Sequence, residues 1–127
     1  MQQGRAFEQI VEQHLGFIEG WTIVGRQVPV DGFTVDFLAV DPLGIEHWIE
    51  CKGADGSSQR PPGLLDGTTA KVLVGVAWYL SRVPGARPYV VWTSHLPTPG
   101  TNAWRIIQAA KSDGLIRDVR TIGSVAL

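Results

Sequence analysis

Residues 35–53 read Val35-Asp36-Phe37-Leu38-Ala39-Val40-Asp41-Pro42-Leu43-Gly44-Ile45-Glu46-His47-Trp48-Ile49-Glu50-Cys51-Lys52-Gly53, and this stretch decides the fold. Two apolar runs, residues 33–41 and 45–52, flank Pro42-Leu43-Gly44 and predict a hairpin. Three-residue hairpin loops favour a type I turn followed by a left-handed residue. Pro42 presets φ for the first turn position, and Gly44 suits the left-handed one. That loop pairs Asp41 with Ile45, and counting back along both strands sets Asp36 opposite Glu50. Directly opposed residues have Cβ atoms about 5 Å apart. Two carboxylates at that spacing repel each other unless a cation lies between them. Lys52, two residues past Glu50, shares its face, while Ile49 and Cys51 point the other way. Charges in strands that otherwise read as core are costly to bury. A metal ion and a reaction account for all three.

Outward from the hairpin, Ala6, Phe7, Ile10, Val11, Leu15 and Ile18 recur at helical spacing and predict a helix over 4–19, with Gly20 as its C-cap. A first strand is expected over 21–28, closed by Pro29 and the Asp31-Gly32 turn. Residues 53–67 read as a long loop, of the kind that often carries function. Thr68 or Thr69 is the expected cap of a helix running to about Arg82, stopped by Pro84-Gly85. A strand is expected over 87–94, then a helix capped by Thr101 or Asn102 and ending near Lys111, then an edge-like strand over 115–122. The first three strands can form an antiparallel meander. The helix after them is long enough to return a fourth strand in parallel. The fold class is thus α/β (α+β), a mixed sheet flanked by helices.

The length of 127 residues suits one domain, 1–127, large enough to bury a core. One cysteine, Cys51, excludes an internal disulfide. His14, His47 and His95 are too scattered for a zinc set. The longest apolar run, 72–80, falls well short of a membrane span, and no secretory leader is visible. The expected setting is cytoplasmic. The net charge of −1 lacks the basic excess common in nucleic-acid binders, though clustered carboxylates would offset a basic face. Five Trp read mostly as core. No phosphate-binding Gly-Lys-Ser/Thr loop or Gly-x-Ser-x-Gly elbow occurs.

Asp36, then Glu50-Cys51-Lys52 across a hairpin, after a helix bearing Glu8, resembles the PD-(D/E)XK nuclease superfamily. The resemblance covers residues 4–94 and implies a restriction-endonuclease-like αβββαβ core, here with an extra C-terminal helix and strand. Val35 stands where the family often has proline. The resemblance implies a metal-dependent DNA nuclease. Asp36 and Glu50 would bind Mg²⁺, or Mn²⁺ in its place, as one or two ions, with the Cys51 backbone carbonyl as a further oxygen. Lys52 would orient or deprotonate the attacking water and contact the phosphate. Glu8 would touch the metal directly or through water. The helix start at 4–8 followed by Gly20-Trp21 has the family's spacing, which favours Glu8 over Glu12. Lys71 near a helix start, with Gln59 and Arg60 in the long loop, are candidate substrate-binding residues, and His95 is a weaker one. The Gln-x-x-x-Tyr helix of RecB-type exonucleases is missing, since Gly75 lies four residues before Tyr79. An endonuclease is therefore expected, acting as a homodimer or recruited by a protein partner. The alternatives are a Holliday-junction-resolvase-like structure-specific endonuclease, or a non-catalytic module for DNA binding or assembly on the same fold.

Overall fold

The structure is a computed structural model and describes residues 2–53 and 61–122, with side chains described from Ala6 onward. Helix α1 (Gln2–Gln13) runs into a π-helical turn at His14–Ile18. The wide turn is closed by the Glu19 N–H donating to the His14 carbonyl at 3.2 Å, and Gly20 then leaves the helix at φ +75. The expected helix over 4–19 is therefore α-helical only in its first part. Next come β1 (Thr22–Val30), β2 (Phe33–Val40), β3 (Glu46–Lys52), a 3-10 turn (Gly63–Leu65), α2 (Gly67–Leu80), β4 (Tyr89–Thr93), α3 (Asn102–Ser112) and β5 (Asp118–Thr121).

The five strands form one sheet in the order β1-β2-β3-β4-β5. β1, β2 and β3 are antiparallel neighbours, and β4 and β5 join in parallel. This is the expected meander followed by a crossover. β1 runs through Pro29, two residues further than the sequence predicts. As an edge strand it tolerates a residue that cannot donate to the ladder. Asp31 (φ 48) and Gly32 (φ 88) then make the two-residue turn into β2. The last strand is confined to Asp118–Thr121, shorter than the 115–122 expected.

Two apolar clusters lie on opposite faces of the sheet. Phe7 and Val11 of α1 and Leu15 of the π-helical turn pack on Phe37, Ala39, Ile49, Val90 and Trp92. Leu73, Ala77 and Leu80 of α2 and Ile107 of α3 pack on Trp48, Tyr89 and Val91. Fully burying a large apolar side chain contributes about 1.5–3 kcal/mol before cavity effects, so both clusters hold the helices firmly. The N-cap of α2 is Asp66 rather than either threonine: its carboxylate accepts from the Thr68 N–H at 3.0 Å and from the Thr69 hydroxyl at 3.1 Å. A carboxylate offers two acceptor oxygens where a hydroxyl offers one, so Asp66 wins the position. Thr101 caps α3, accepting from the Trp104 N–H at 3.2 Å. Of the tryptophans, Trp48 and Trp92 are buried and Trp21 and Trp104 half-buried, whereas Trp78 is exposed, with the Arg82 guanidinium 4.3 Å above its ring.

Candidate active site

The hairpin turn forms as its residues dictate. Gly44 sits at φ +89, and the Asp41 N–H donates to the Ile45 carbonyl at 2.9 Å. The Asp41 carboxylate reinforces the turn by accepting from the Leu43 and Ile45 N–H groups, both at 2.9 Å. The β2–β3 ladder then pairs Val40 with Glu46 through to Phe37 with Ile49. Asp36 and Glu50 are the next residues along the two strands. There the ladder ends, and the Cys51 N–H donates instead to the Asp36 carboxylate at 2.7 Å.

Asp36 lies where β2 changes its faces. Val35 belongs to the α2/α3 cluster and Phe37 to the α1 cluster, although a regular strand would put residues two apart on one face. Val35, Asp36 and Phe37 are buried in succession. On the neighbouring strand Gln27 holds φ +50, a left-handed conformation uncommon for a residue other than glycine.

Glu50 and Lys52 share the face of Trp48, as predicted, with Lys52 Nζ 3.5 Å from Glu50 Oε2. Cys51 packs with the α1 cluster on the other side. Burial and then the Asp36 charge push the Glu50 carboxyl up to about 8; Lys52 pulls it down and does not prevail. The Tyr89 hydroxyl is buried next to the Glu50 carboxyl. Burial first, and then the adjacent Glu50 charge, hold its phenol well above the ordinary range. Burial also raises the Cys51 thiol, and the charges of Asp36, Glu50 and Glu8 add to the effect. Cys51 is thereby a small apolar residue ringed by carboxylates, and no thiolate nucleophile.

Glu8 reaches the site from α1. Gln27 Nε2 donates to Glu8 Oε1 at 3.2 Å and to Asp36 Oδ1 at 3.4 Å, joining the two carboxylates. Glu12 points elsewhere, into an ion pair with Arg26. The spacing that favours Glu8 over Glu12 therefore agrees with the geometry. Gly53 sets how closely α1 approaches: a Cβ there would lie under 3.0 Å from the Phe7 side chain, next to Glu8. The end of β3 is fastened to β4 through the Lys52 carbonyl, which accepts from Thr93 Oγ1 at 2.7 Å and the Ser94 N–H at 3.3 Å.

Among the described residues, no three side chains of Asp, Glu, His and Cys converge tightly enough to enclose a metal. Asp36 with Glu50 makes a two-carboxylate site, and Glu8 stands one amide away. That set fits a cation such as Mg²⁺, which keeps several waters and is held by one or two carboxylates. Lys71 is exposed early in α2 and has no hydrogen bond or ion pair to Asp36, Glu50 or Lys52 among the described residues. His95 is exposed, with its Nδ1 2.8 Å from Ser94 Oγ, and meets the Leu64 N–H through its backbone carbonyl. Gln59 and Arg60 lie outside the described residues. Sequence reasoning missed Gln27 and Tyr89. An alternation count would find Tyr89 on the face of Glu50, but nothing local in the sequence marks Gln27.

The chain has the restriction-endonuclease-like fold. No protein-family model and no curated protein matches it. Among solved structures it is similar to the EndoMS–dsDNA2 complex, with 17% identity over 93% of this chain and 42% of that one, at a TM-score of 0.51. A repair endonuclease from Pyrococcus abyssi is comparable, with 13% identity, 95% of this chain, 46% of that one and a TM-score of 0.50. SfsA from Pyrococcus furiosus in complex with Ca²⁺ matches with 21% identity over 94% of this chain and 55% of that one, at a TM-score of 0.47. The chain thus spans less than half the length of the first two.

Proposed function

We propose that this protein is a divalent-metal-dependent nuclease that hydrolyses phosphodiester bonds in DNA, and that it is an endonuclease. The observation that carries the reading is the Asp36–Glu50 pair, with Lys52 beside it, where the β2–β3 ladder ends. Its fold is also that of the two similar endonuclease structures, one of them a complex with double-stranded DNA.

Asp36 and Glu50, with the Cys51 carbonyl, would hold Mg²⁺ or Mn²⁺, and Glu8 would act through water. The cation supplies a more acidic water and charge neutralisation at the scissile phosphate. The chain's own groups do the rest. The Cys51 N–H fixes the Asp36 carboxylate in orientation. Glu50, whose carboxyl is pushed up to about 8 in the cation-free protein, would release its proton to solvent on holding the cation. Lys52, partly exposed beside Glu50, can contact the phosphate and pass a proton to or from the water. One such site cuts one strand, so cleaving both requires a homodimer or a recruiting protein partner.

A plasmid-nicking assay tests the proposal, with Mg²⁺ or Mn²⁺ against EDTA and with Lys52→Ala beside the wild type. Metal-dependent nicking by the wild type alone supports it. Intact supercoiled, branched and single-stranded DNA under all conditions contradicts it and leaves the non-catalytic reading. Cleavage confined to four-way junctions would select the resolvase-like reading.

A further inference from the structure

Among the described residues at the site, Gln27 has a strained backbone. It is not glycine, yet it holds φ +50. Such conformations cost about 1–3 kcal/mol and persist where the surroundings over-determine them. The surroundings here are unusual. The β1–β2 register shifts between Ile23 and Gly25, and from there β1 pairs Arg26 with Phe37 and Val28 with Val35. Gln27 lies between those pairs, opposite Asp36. Its side-chain amide has two N–H donors. Their nitrogen lies 3.2 Å from a Glu8 oxygen and 3.4 Å from an Asp36 oxygen. A carboxylate in place of this amide would repel both neighbours, and an apolar side chain would satisfy neither.

We infer that Gln27 is a positioning residue for the cation site: its amide bridges Glu8 on α1 to Asp36 on β2 and keeps both carboxylates aimed at one point. The inference rests on the metal-dependent reading above and deepens it. Without the bridge, the repulsion between Glu8 and Asp36 loses the compensation of this amide. The twisted backbone at Gln27 is the means by which an edge strand delivers an amide between two carboxylates. Hydrogen-bonding partners of this kind typically alter metal affinity by about 10- to 100-fold.

The test is a Mn²⁺ titration followed by thermal melting, on the wild type, Gln27→Gly and Gln27→Asn. Glycine takes positive φ without cost and removes the amide. Asparagine tolerates positive φ and keeps an amide, but is one methylene too short to bridge. Relief of the backbone strain and loss of the bridge act in opposite directions in EDTA, so each variant's Mn²⁺ response is read against its own melting temperature in EDTA. Both variants should need about 10-fold more Mn²⁺ for the same stabilisation. If both titrate with the wild-type midpoint, Gln27 is a structural residue and the inference is overturned while the cation site stands. If the wild type itself shows no Mn²⁺-dependent shift, the cation site fails and the inference fails with it.

Discussion

The Cys51 N–H donates to the Asp36 carboxylate at 2.7 Å, at the point where the β2–β3 ladder has already ended. A side chain thus takes over a strand's hydrogen bond. This holds the Asp36 carboxylate in a fixed orientation although the residue is only 9% exposed. Burial, and then the Asp36 charge, push the neighbouring Glu50 carboxyl up to about 8, against the pull of Lys52 and the Tyr89 hydroxyl.

A pH dependence follows. The unfolded chain holds the Glu50 proton with a pKa of about 4.5 and the cation-free folded protein with one of about 8. The folded state therefore binds this proton more tightly. The associated stability is fully present below about pH 4.5 and is lost as pH rises through 8. Urea unfolding in EDTA from pH 5 to 9 should show a decline from this group of at most about 1.4 kcal/mol per pH unit. Glu50→Gln should flatten it. A wild-type profile matching that of Glu50→Gln contradicts the assignment.

Asp36→Asn should help the cation-free protein only where Glu50 is ionised. At pH 6 Glu50 carries its proton and there is little repulsion to relieve. At pH 9 the substitution should raise the melting temperature, by about 4 °C for each kcal/mol relieved. An equal effect at both pH values would mean that Asp36 and Glu50 are not coupled.

Lys52→Ala should separate chemistry from binding. Loss of a proton-transferring group costs about 100-fold or more in rate, while Mn²⁺ binding should persist because both carboxylates remain. Single-turnover cleavage alongside a Mn²⁺ titration reads the two effects separately. If Mn²⁺ binding vanishes together with activity, Lys52 acts by holding Glu50 and not on the phosphate.

Much of this site is legible in the sequence because its decisive geometry is local. Pro42 and Gly44 fix the turn, and the turn fixes the register as far as Phe37 and Ile49, one residue short of Asp36 and Glu50. The alternation that puts Lys52 with Glu50 and Cys51 opposite is equally local. What the sequence hides depends on contacts between distant segments. No intrinsic preference of glutamine announces φ +50 at Gln27. The π-helical turn at His14–Ile18 and the passage of β1 through Pro29 follow from how α1 and an edge strand seat on the sheet. The α2 cap slipped from Thr68 or Thr69 to Asp66 because three capping side chains crowd one turn, and the structure decides which faces the free N–H groups.

Gly53 is another residue whose reason lies across the fold. Gly53→Ala would drive a Cβ into the Phe7 ring and push α1 off β3. Overpacking of this kind costs about 1–3 kcal/mol. Denaturant unfolding should show that loss. Cleavage should fall as well, because α1 carries Glu8. Unchanged stability would mean that α1 sits further from β3 than the structure has it.

Whether Asp36 and Glu50 hold a divalent cation is tested most directly by calorimetric titration of Mn²⁺ at pH 7 in two buffers of different ionisation enthalpy. Because Glu50 is protonated at that pH without metal, binding must expel its proton. The expected result is release of about one proton per Mn²⁺ in the wild type, none in Glu50→Gln, and loss of binding in Asp36→Asn. Mn²⁺ binding without proton release, or no binding by the wild type, would contradict the account.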